Sequence, residues 1–542
     1  MRDKEQIMAG FDLSKMKALV IDDFNEMRRS MKRMLEELGV KNVDMVANAR
    51  EALAKIALVP YDIILCDYNL GDGRNGQQIL EEVKERGIVK ADAAYIMVTA
   101  EMGQDMVLGA VDYLPDDYLT KPFVGEVLNK RINKVLARKA HIGKIEVALQ
   151  KTNYDLAIKL CDENLAGEGS PYALDYLRLK GEALLLLGEC DKAHSIFSSL
   201  LERHPFQWAT FGLGRAEKCS GNNRAAAQVF EELIDENNRF MTAYDQLAEC
   251  HQQMGDTEGA QRVLSDAISI SPRSVQRQRE FGKVAFENDD LEAATLSFRR
   301  AVTLSHDSYL KSMDDYTNLA RTMASNGKGR DALVLINKAK TEFKGKRNLD
   351  MQTAVVESLV HQKLGDSAKA QEAMDRVGAN NDLTASQMPL DITLDLAGSN
   401  LERNEKEKAM GLLGSLLKNF YEDDLVVDKI RKVFNDHNLG AEGDALIREI
   451  RSEITDLNNR GVSLVKEGNL DDAIGLFEEA ANRLPKNKTV NLNAAQVVIM
   501  QMQKLGANRT GLQQVNEFLD RVRDSDPANE KLVALQRMAT EL

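Results

Sequence analysis

The chain has 542 residues, 43% of them apolar and 29% charged, with only 9 Pro; it is too long for one core, which stops growing near ~250 residues, and too apolar for a disordered polymer. Lys and Arg total 71 against 85 Asp and Glu, a net charge of −14, which argues against generic binding to a phosphate backbone. Aromatic residues make up 5% while Ala, Leu, Glu, Lys, Gln and Met recur, so a mainly helical protein is predicted, built as three to four ordinary domains or as one domain plus a repeat array.

From residue 17 short apolar runs alternate with helical patterns. Residues 18–21, 43–46, 63–66, 95–98 and 118–119 read as strands, and 24–38, 49–57, 75–86, 104–110 and 123–138 as helices. Five such βα units predict a parallel sheet with helices on both faces. The apolar strands end abruptly in polar groups: Asp22 and Asp23, Asp67, Thr99 and Lys121. In open α/β sheets ligands bind beyond the carboxyl ends of the strands, so these side chains converge on one crevice. Three crowded carboxylates repel unless a cation sits among them, and an oxygen-only ligand set suits Mg²⁺.

The pattern predicts a phosphoryl-accepting carboxylate. Asp67 attacks phosphorus, Mg²⁺ on Asp23 and Asp67, with Asp22 nearby, neutralises the equatorial oxygens, and Lys121 and Thr99 bind the remaining ones. Helix capping by Asp22 and Asp23 is the plainer reading, but it leaves Asp67, Thr99 and Lys121 unaccounted for. Gly71, Gly73 and Gly76 form a lone GxGxxG, read as a loop beside the site because it follows Asp67 and lacks an acidic ribose partner.

Four motifs, VIDDFNEMRR (20–29), LCDYNLGDGRNG (65–76), MVTAE (97–101) and YLTKPF (118–123), occur in order, and over residues 15–138 the chain resembles the receiver domain of two-component response regulators, the chemotaxis regulators especially. The resemblance implies a flavodoxin-like fold of strand order 2-1-3-4-5. It implies that Asp67 is the phosphoacceptor, Asp22 and Asp23 are the acidic pocket, and Asn69 lends Mg²⁺ its backbone carbonyl. Thr99 would be the switch hydroxyl, Lys121 the phosphate-binding base before a usually cis Pro122, and Tyr118 the aromatic that turns inward on activation. Asn69 and Glu101 occupy places where the family tunes its dephosphorylation rate.

Beyond residue 138 the strand signals vanish and a small residue recurs at Ala193, Ala226, Ala260, Ala294, Ala332, Ala370 and Ala409, at intervals of 33, 34, 34, 38, 38 and 39. A period near ~34 signals a helical solenoid. Twelve residues before each marker lies another small residue (Gly181, Gly214, Ala248, Gly282, Ala320, Ser358, Ala397), and four after it a large apolar one (Phe197, Phe230, Leu264, Phe298, Ile336, Met374, Leu413). The segments 244–272 and 459–485 carry this pattern most sharply; in the second, Gly461, Ala473, Phe477, Ala480 and Pro485 fill the diagnostic places. They resemble the tetratricopeptide repeat, in which small residues let two helices approach and large ones fill the gap. About eight or nine repeats are expected, with closing helices in 488–542. Residues 378–389 and 421–453 fit the period badly, through lengthened helices or a break.

The expected organisation is an extension at 1–14, a receiver at 15–138 and a tetratricopeptide repeat array at 139–542, with the irregular stretch near 378–455. No classical enzyme motif occurs in the array, and its histidines stand singly. Trp208 and the Met-rich stretch 498–502 read as core rather than groove. Five scattered cysteines without a CxxC pair predict reduced, packed thiols. No apolar leader core or membrane span is visible, so a cytoplasmic protein is expected.

The functional expectation is a response regulator, not an enzyme beyond its own phosphorylation chemistry, whose partners are a sensor histidine kinase or phosphotransfer protein and a protein held by the repeats, with self-association as a homodimer left open. RNA binding by the array is disfavoured, since residues 141–542 carry a net −12. The alternative is a constitutive scaffold or oligomerisation protein with the receiver as docking module or phosphate sink.

Overall fold

The computed structural model describes residues 11–71, 74–100, 115–167, 169–306, 308–346, 348–378, 388–523, 525–526, 529–540 and 542. The chain divides into two compact units: the first runs to Asn288 and includes residues 300–311, the second comprises residues 289–299 and 312–542.

The first unit opens with β1 (Lys17–Ile21), α1 (Asn25–Glu37), β2 (Asn42–Val46), α2 (Ala49–Leu58), β3 (Ile63–Asp67), α3 (Gly76–Glu85), β4 (Ala94–Thr99) and β5 (Asp117–Thr120). The strands are parallel, in the order β2-β1-β3-β4-β5, with Val20 beside Leu65, Leu65 beside Ile96 and Val98 beside Leu119. The central strands β3 and β4 are buried throughout, as covering by helices on both faces requires; the edge strands β2 and β5 keep polar positions. One core layer joins Ala18, Val20, Leu65, Ile96 and Val98 to Met31, Leu35, Leu128 and Ile132. The other joins Leu19, Ile21, Ile64, Tyr95 and Met97 to Ala52, Ile56, Ile79 and Leu80. The helix expected at 104–110 lies outside the described residues.

The helix expected to end at Arg138 continues for twelve more residues as α4 (Gly125–Gln150). Its first half packs Leu128, Ile132 and Val135 under the sheet. Its second half packs Ile142, Ile145 and Ala148 against Ala157, Cys161 and Tyr176 of the following helices. Two cores therefore share one rod, and Gly143 sits where a Cβ would lie 3.3 Å from the Asp92 Cβ. Lys139, buried, donates to the Ala91 carbonyl (2.9 Å) and pairs with Asp116 (3.0 Å) and Glu146 (2.9 Å). Burial disfavours its charge, but the two carboxylates outweigh that and hold the ammonium above its ordinary range. Arg138 donates to Asp175 from Nε and Nη2.

Helical hairpins follow in the first unit: α5 (Tyr154–Leu165), α6 (Ala173–Leu186), α7 (Cys190–Leu201), α8 (Gln207–Cys219), α9 (Asn223–Glu236), α10 (Met241–Gln253), α11 (Thr257–Ile270) and α12 (Val275–Glu287). The helix α13 (Leu291–Ser305) contributes residues to both units. The second unit continues with α14 (Met313–Ser325), α15 (Gly329–Glu342), α16 (Leu349–Lys363), α17 (Ser367–Gly378), α18 (Leu390–Glu402), α19 (Lys406–Phe420), α20 (Asp424–Asp436), α21 (Gly440–Lys466), α22 (Leu470–Arg483), α23 (Lys488–Leu505), α24 (Arg509–Arg523) and α25 (Glu530–Thr540). The irregular stretch 421–453 is helical, and its misfit comes from a lengthened helix, α21, which runs 27 residues; residues 379–387 of the other irregular stretch lie outside the described residues.

The repeat rule is visible atom by atom. Ala193, Ala226, Ala260, Ala332, Ala409 and Ala473 are fully buried. A Cβ added to Gly181 would lie 2.4 Å from the Phe197 ring, one on Gly214 2.5 Å from Phe230, and one on Gly461 2.2 Å from Phe477. Ser358 fits because its hydroxyl donates to the Ala370 carbonyl at 2.9 Å. Val498, Ile499 and Met502 are core, and Trp208 stacks on Phe206.

One expectation is corrected. Cys190 and Cys219 are not separate thiols: they form a disulfide, with Cα atoms 5.6 Å apart. Cys190 opens α7 and Cys219 closes α8, so antiparallel packing joins two residues that a 29-residue separation had hidden. Cys66, Cys161 and Cys250 are buried free thiols.

Gly461→Ala is expected to destabilise the second unit by about 1–3 kcal/mol despite the better helix propensity of Ala, because the Phe477 ring must move. Adding Phe477→Leu should recover most of the loss in urea unfolding; an unchanged midpoint for Gly461→Ala alone would refute the packing account.

Candidate functional site

The sheet brings the polar strand ends together as expected. Asp22 follows β1, Asp67 ends β3, Thr99 ends β4 and Lys121 follows β5. Carboxylate oxygens of Asp22, Asp23 and Asp67 lie within 4.8 Å of one another, with Asp22 and Asp67 buried and Asp23 exposed at the rim. Lys121 Nζ donates to Asp22 Oδ2 at 2.7 Å and pairs with Asp67 Oδ2 at 3.0 Å. Asp22 Oδ1 accepts from the Phe24 backbone N–H at 2.8 Å. Asp22 is thus a brace for Lys121 and for the turn into α1, whose N-cap is Phe24 with no side-chain cap bond; capping alone does not describe it.

Burial pushes the Asp67 carboxyl above its usual range, Lys121 pulls it back, and Asp22 and Asp23 push it up again. Burial disfavours the Lys121 charge, but hydrogen bonds to Asp22 and Asp67 outweigh it and raise the ammonium. Oxygen donors around one unsatisfied excess of negative charge fit a hard divalent cation, which Asp23 and Asp67 would hold. Thr99 is buried, and its carbonyl accepts from the Lys121 N–H at 2.7 Å, just before the cis Lys121–Pro122 bond. Asn69 is exposed, and its Oδ1 accepts from the Gly71 N–H at 3.4 Å. Tyr118 is half-buried; its hydroxyl has no hydrogen-bond partner among the described residues, and burial pushes the phenol up to about 12. Glu101 lies outside the described residues.

Sequence reasoning missed Gly76. A Cβ there would stand 2.1 Å from the Asp67 carbonyl oxygen, so only glycine lets α3 begin beneath Asp67. The glycine was visible in the lone GxGxxG, but its contact was not. Arg28 donates to the Asp22 carbonyl; it stands in the quoted motif 20–29, but its contact was not legible there.

Residues 18–133 match the family model of the response regulator receiver domain, and residues 242–274 match that of the tetratricopeptide repeat. The chemotaxis protein CheY of Pseudomonas aeruginosa is 32% identical over 123 residues, covering 23% of this chain and 98% of that protein. The chain belongs to the response regulator receiver family. A CheY-like receiver structure from Methanospirillum hungatei JF-1 is 28% identical and covers 23% of this chain and 96% of that one, with TM-score 0.21. The C-terminal part of a TPR repeat-containing protein from Cytophaga hutchinsonii is 15% identical and covers 44% of this chain and 95% of that one, with TM-score 0.36. This response regulator thus joins an N-terminal CheY-like receiver to a long tetratricopeptide-type helical region. Among the described residues no helix is long and apolar enough to cross a membrane.

A carboxyl raised in the folded state opposes folding once it ionises: the penalty is absent below its unfolded value and complete above its folded value. Asp67→Asn should therefore raise the melting temperature at pH 7 in metal-free buffer, and the gain should fade as the pH falls through the carboxylate range. A lower melting temperature at pH 7 would contradict this account of the pocket.

Proposed function

We propose that Asp67 accepts a phosphoryl group from a phosphohistidine of a sensor histidine kinase or phosphotransfer protein, and that the helical array is the protein-binding output. The observation that carries this reading is Lys121 held between Asp22 and Asp67 at the rim of a three-carboxylate pocket. An Asp67 oxygen forms the new bond to phosphorus, the P–N bond breaks, and its electron pair leaves with the imidazole, which takes a proton. Mg²⁺, held by Asp23, Asp67 and the Asn69 carbonyl with Asp22 close by, would neutralise the equatorial oxygens. Lys121 and Thr99 bind the oxygens of the transferred group, Thr99 moves toward them, and Tyr118 follows as the switch aromatic. Asn69 and Glu101 tune the lifetime of the acyl phosphate. The protein works in the cytoplasm, where such kinases present their phosphohistidine.

Two sets of contacts within the first unit offer routes from receiver to repeats. The first is α4 itself, tied by Lys139 to Asp116 just ahead of β5. The second is Glu85 at the end of α3, which accepts from Gln276 Nε2 at 3.2 Å and from the Tyr309 hydroxyl. Arg273 lies close enough to Tyr68, the neighbour of Asp67, for its charge to be felt there.

Incubation with acetyl phosphate and Mg²⁺ should label the wild type with a hydroxylamine-labile phosphate. Asp67→Asn or EDTA should abolish the label, and label persisting in Asp67→Asn would refute the assignment. In amide exchange with Mg²⁺, beryllofluoride should alter protection near residues 115–121 and also near 273–279; Tyr309→Phe should weaken only the distant change. Changes confined to residues before 138 would favour the constitutive scaffold instead.

A further inference from the structure

We propose that Cys190 and Cys219 form a reversible oxidative modification site, closed by hydrogen peroxide and reopened by small thiols, which locks one hairpin of the array. This does not depend on the receiver chemistry.

The geometry is that of a pair built to close. The α7–α8 hairpin is joined at one end by residues 202–206; Cys190 and Cys219 stand at its other, open end. In the closed pair the Cα atoms stand 5.6 Å apart, the usual value for a disulfide, so the bond fits the spacing of the two helices. One turn further in, His194 Nε2 meets Glu217 Oε1 at 3.1 Å across the same two helices. Both cysteines are partly exposed, so a small oxidant reaches them.

The other three thiols are excluded by their surroundings. Cys66, Cys161 and Cys250 are buried, and burial pushes them up to about 12, about 12 and about 11, which leaves little thiolate to react. Within the pair the helices assign the roles. Cys190 is the first residue of α7, at the helix end whose dipole favours an anion; its sulfur lies 3.2 Å from the Gly188 carbonyl, and the carboxylate of the preceding Glu189 is paired with Lys192 at 2.9 Å. Cys219 is the last residue of α8, at the end that disfavours one.

Cys190 thiolate attacks one oxygen of the peroxide; the O–O bond breaks, leaving a Cys190 sulfenic acid, and hydroxide departs as water with the thiol proton. The Cys219 sulfur then attacks the Cys190 sulfur, the S–O bond breaks, and the second water leaves with the Cys219 proton. Two electrons pass from the two thiols to the peroxide. Reduction by two molecules of a small thiol reverses the closure.

The test uses the full chain, reduced and freed of reductant, then treated with hydrogen peroxide. Thiols counted after denaturation should fall from five to three. The mass should drop by about 2 Da, and mapping should link the peptides holding Cys190 and Cys219. Amides near that end of the hairpin should exchange about tenfold more slowly, and millimolar glutathione should restore all readings. In Cys219→Ser, dimedone should trap a sulfenic acid at Cys190; in Cys190→Ser, trapping at Cys219 should be at least severalfold slower. Five thiols persisting, a link to Cys66, Cys161 or Cys250, or a link that resists glutathione would overturn the site. Equal trapping in the two variants would overturn the assigned roles. Circular dichroism confirms that both variants remain folded.

Discussion

Three carboxylates within 4.8 Å of one another cannot stay ionised in a mostly buried pocket without positive charge beside them. Lys121 answers that constraint, and its position answers to the sheet. The ammonium reaches Asp22 and Asp67 across the carboxyl edge of the sheet, where β1 and β3 are adjacent and the Lys121 N–H is bonded to the Thr99 carbonyl at the end of β4. Asp22 has both oxygens engaged, one by Lys121 and one by the Phe24 N–H. It therefore holds the lysine in place, while Asp67 and Asp23 would supply the oxygens for a metal and for the phosphoryl group proposed above. The apolar runs that make the central strands, and the abrupt acids that end them, are two sides of one requirement: a dry sheet whose carboxyl edge is charged.

The helical region obeys a different constraint, that of volume. Where Gly181 faces Phe197, Gly214 faces Phe230 and Gly461 faces Phe477, no carbon fits between them. Where the small residue is a serine, its hydroxyl is turned into a bond to the marker carbonyl. Adaptation of this kind explains how the repeat tolerates varied residues at one position without losing its packing.

Much of this was legible in the chain because both patterns are local. Strand ends marked by Asp22, Asp67, Thr99 and Lys121 needed only their order, and the small and large positions of the repeat needed only their spacing. What stayed hidden depends on approach in three dimensions. Gly76 looked like loop, yet it lies under Asp67. Cys190 and Cys219 looked unrelated, yet one opens a helix and the other closes the next. The long α4 looked as if it stopped at Arg138, since the residues that continue it bury a new face in a second core. Lys139 and Asp116 meet only when that helix passes the start of β5.

The shared helix also sets a rule for how such a chain tolerates change in length. A flexible joint accepts an inserted residue anywhere, whereas one residue added to α4 between Leu136 and Ile142 turns everything after it by about 100° and advances it by about 1.5 Å. Ile142, Ile145 and the core they share with α5 and α6 would turn as one body against the sheet, and whichever side kept Lys139 would lose the other's carboxylate. Seven added residues return nearly to the starting phase, within about 20°. Length variation at this junction is thus quantised in double turns, and the relative azimuth of receiver and first hairpin is written in the residue count of a single helix.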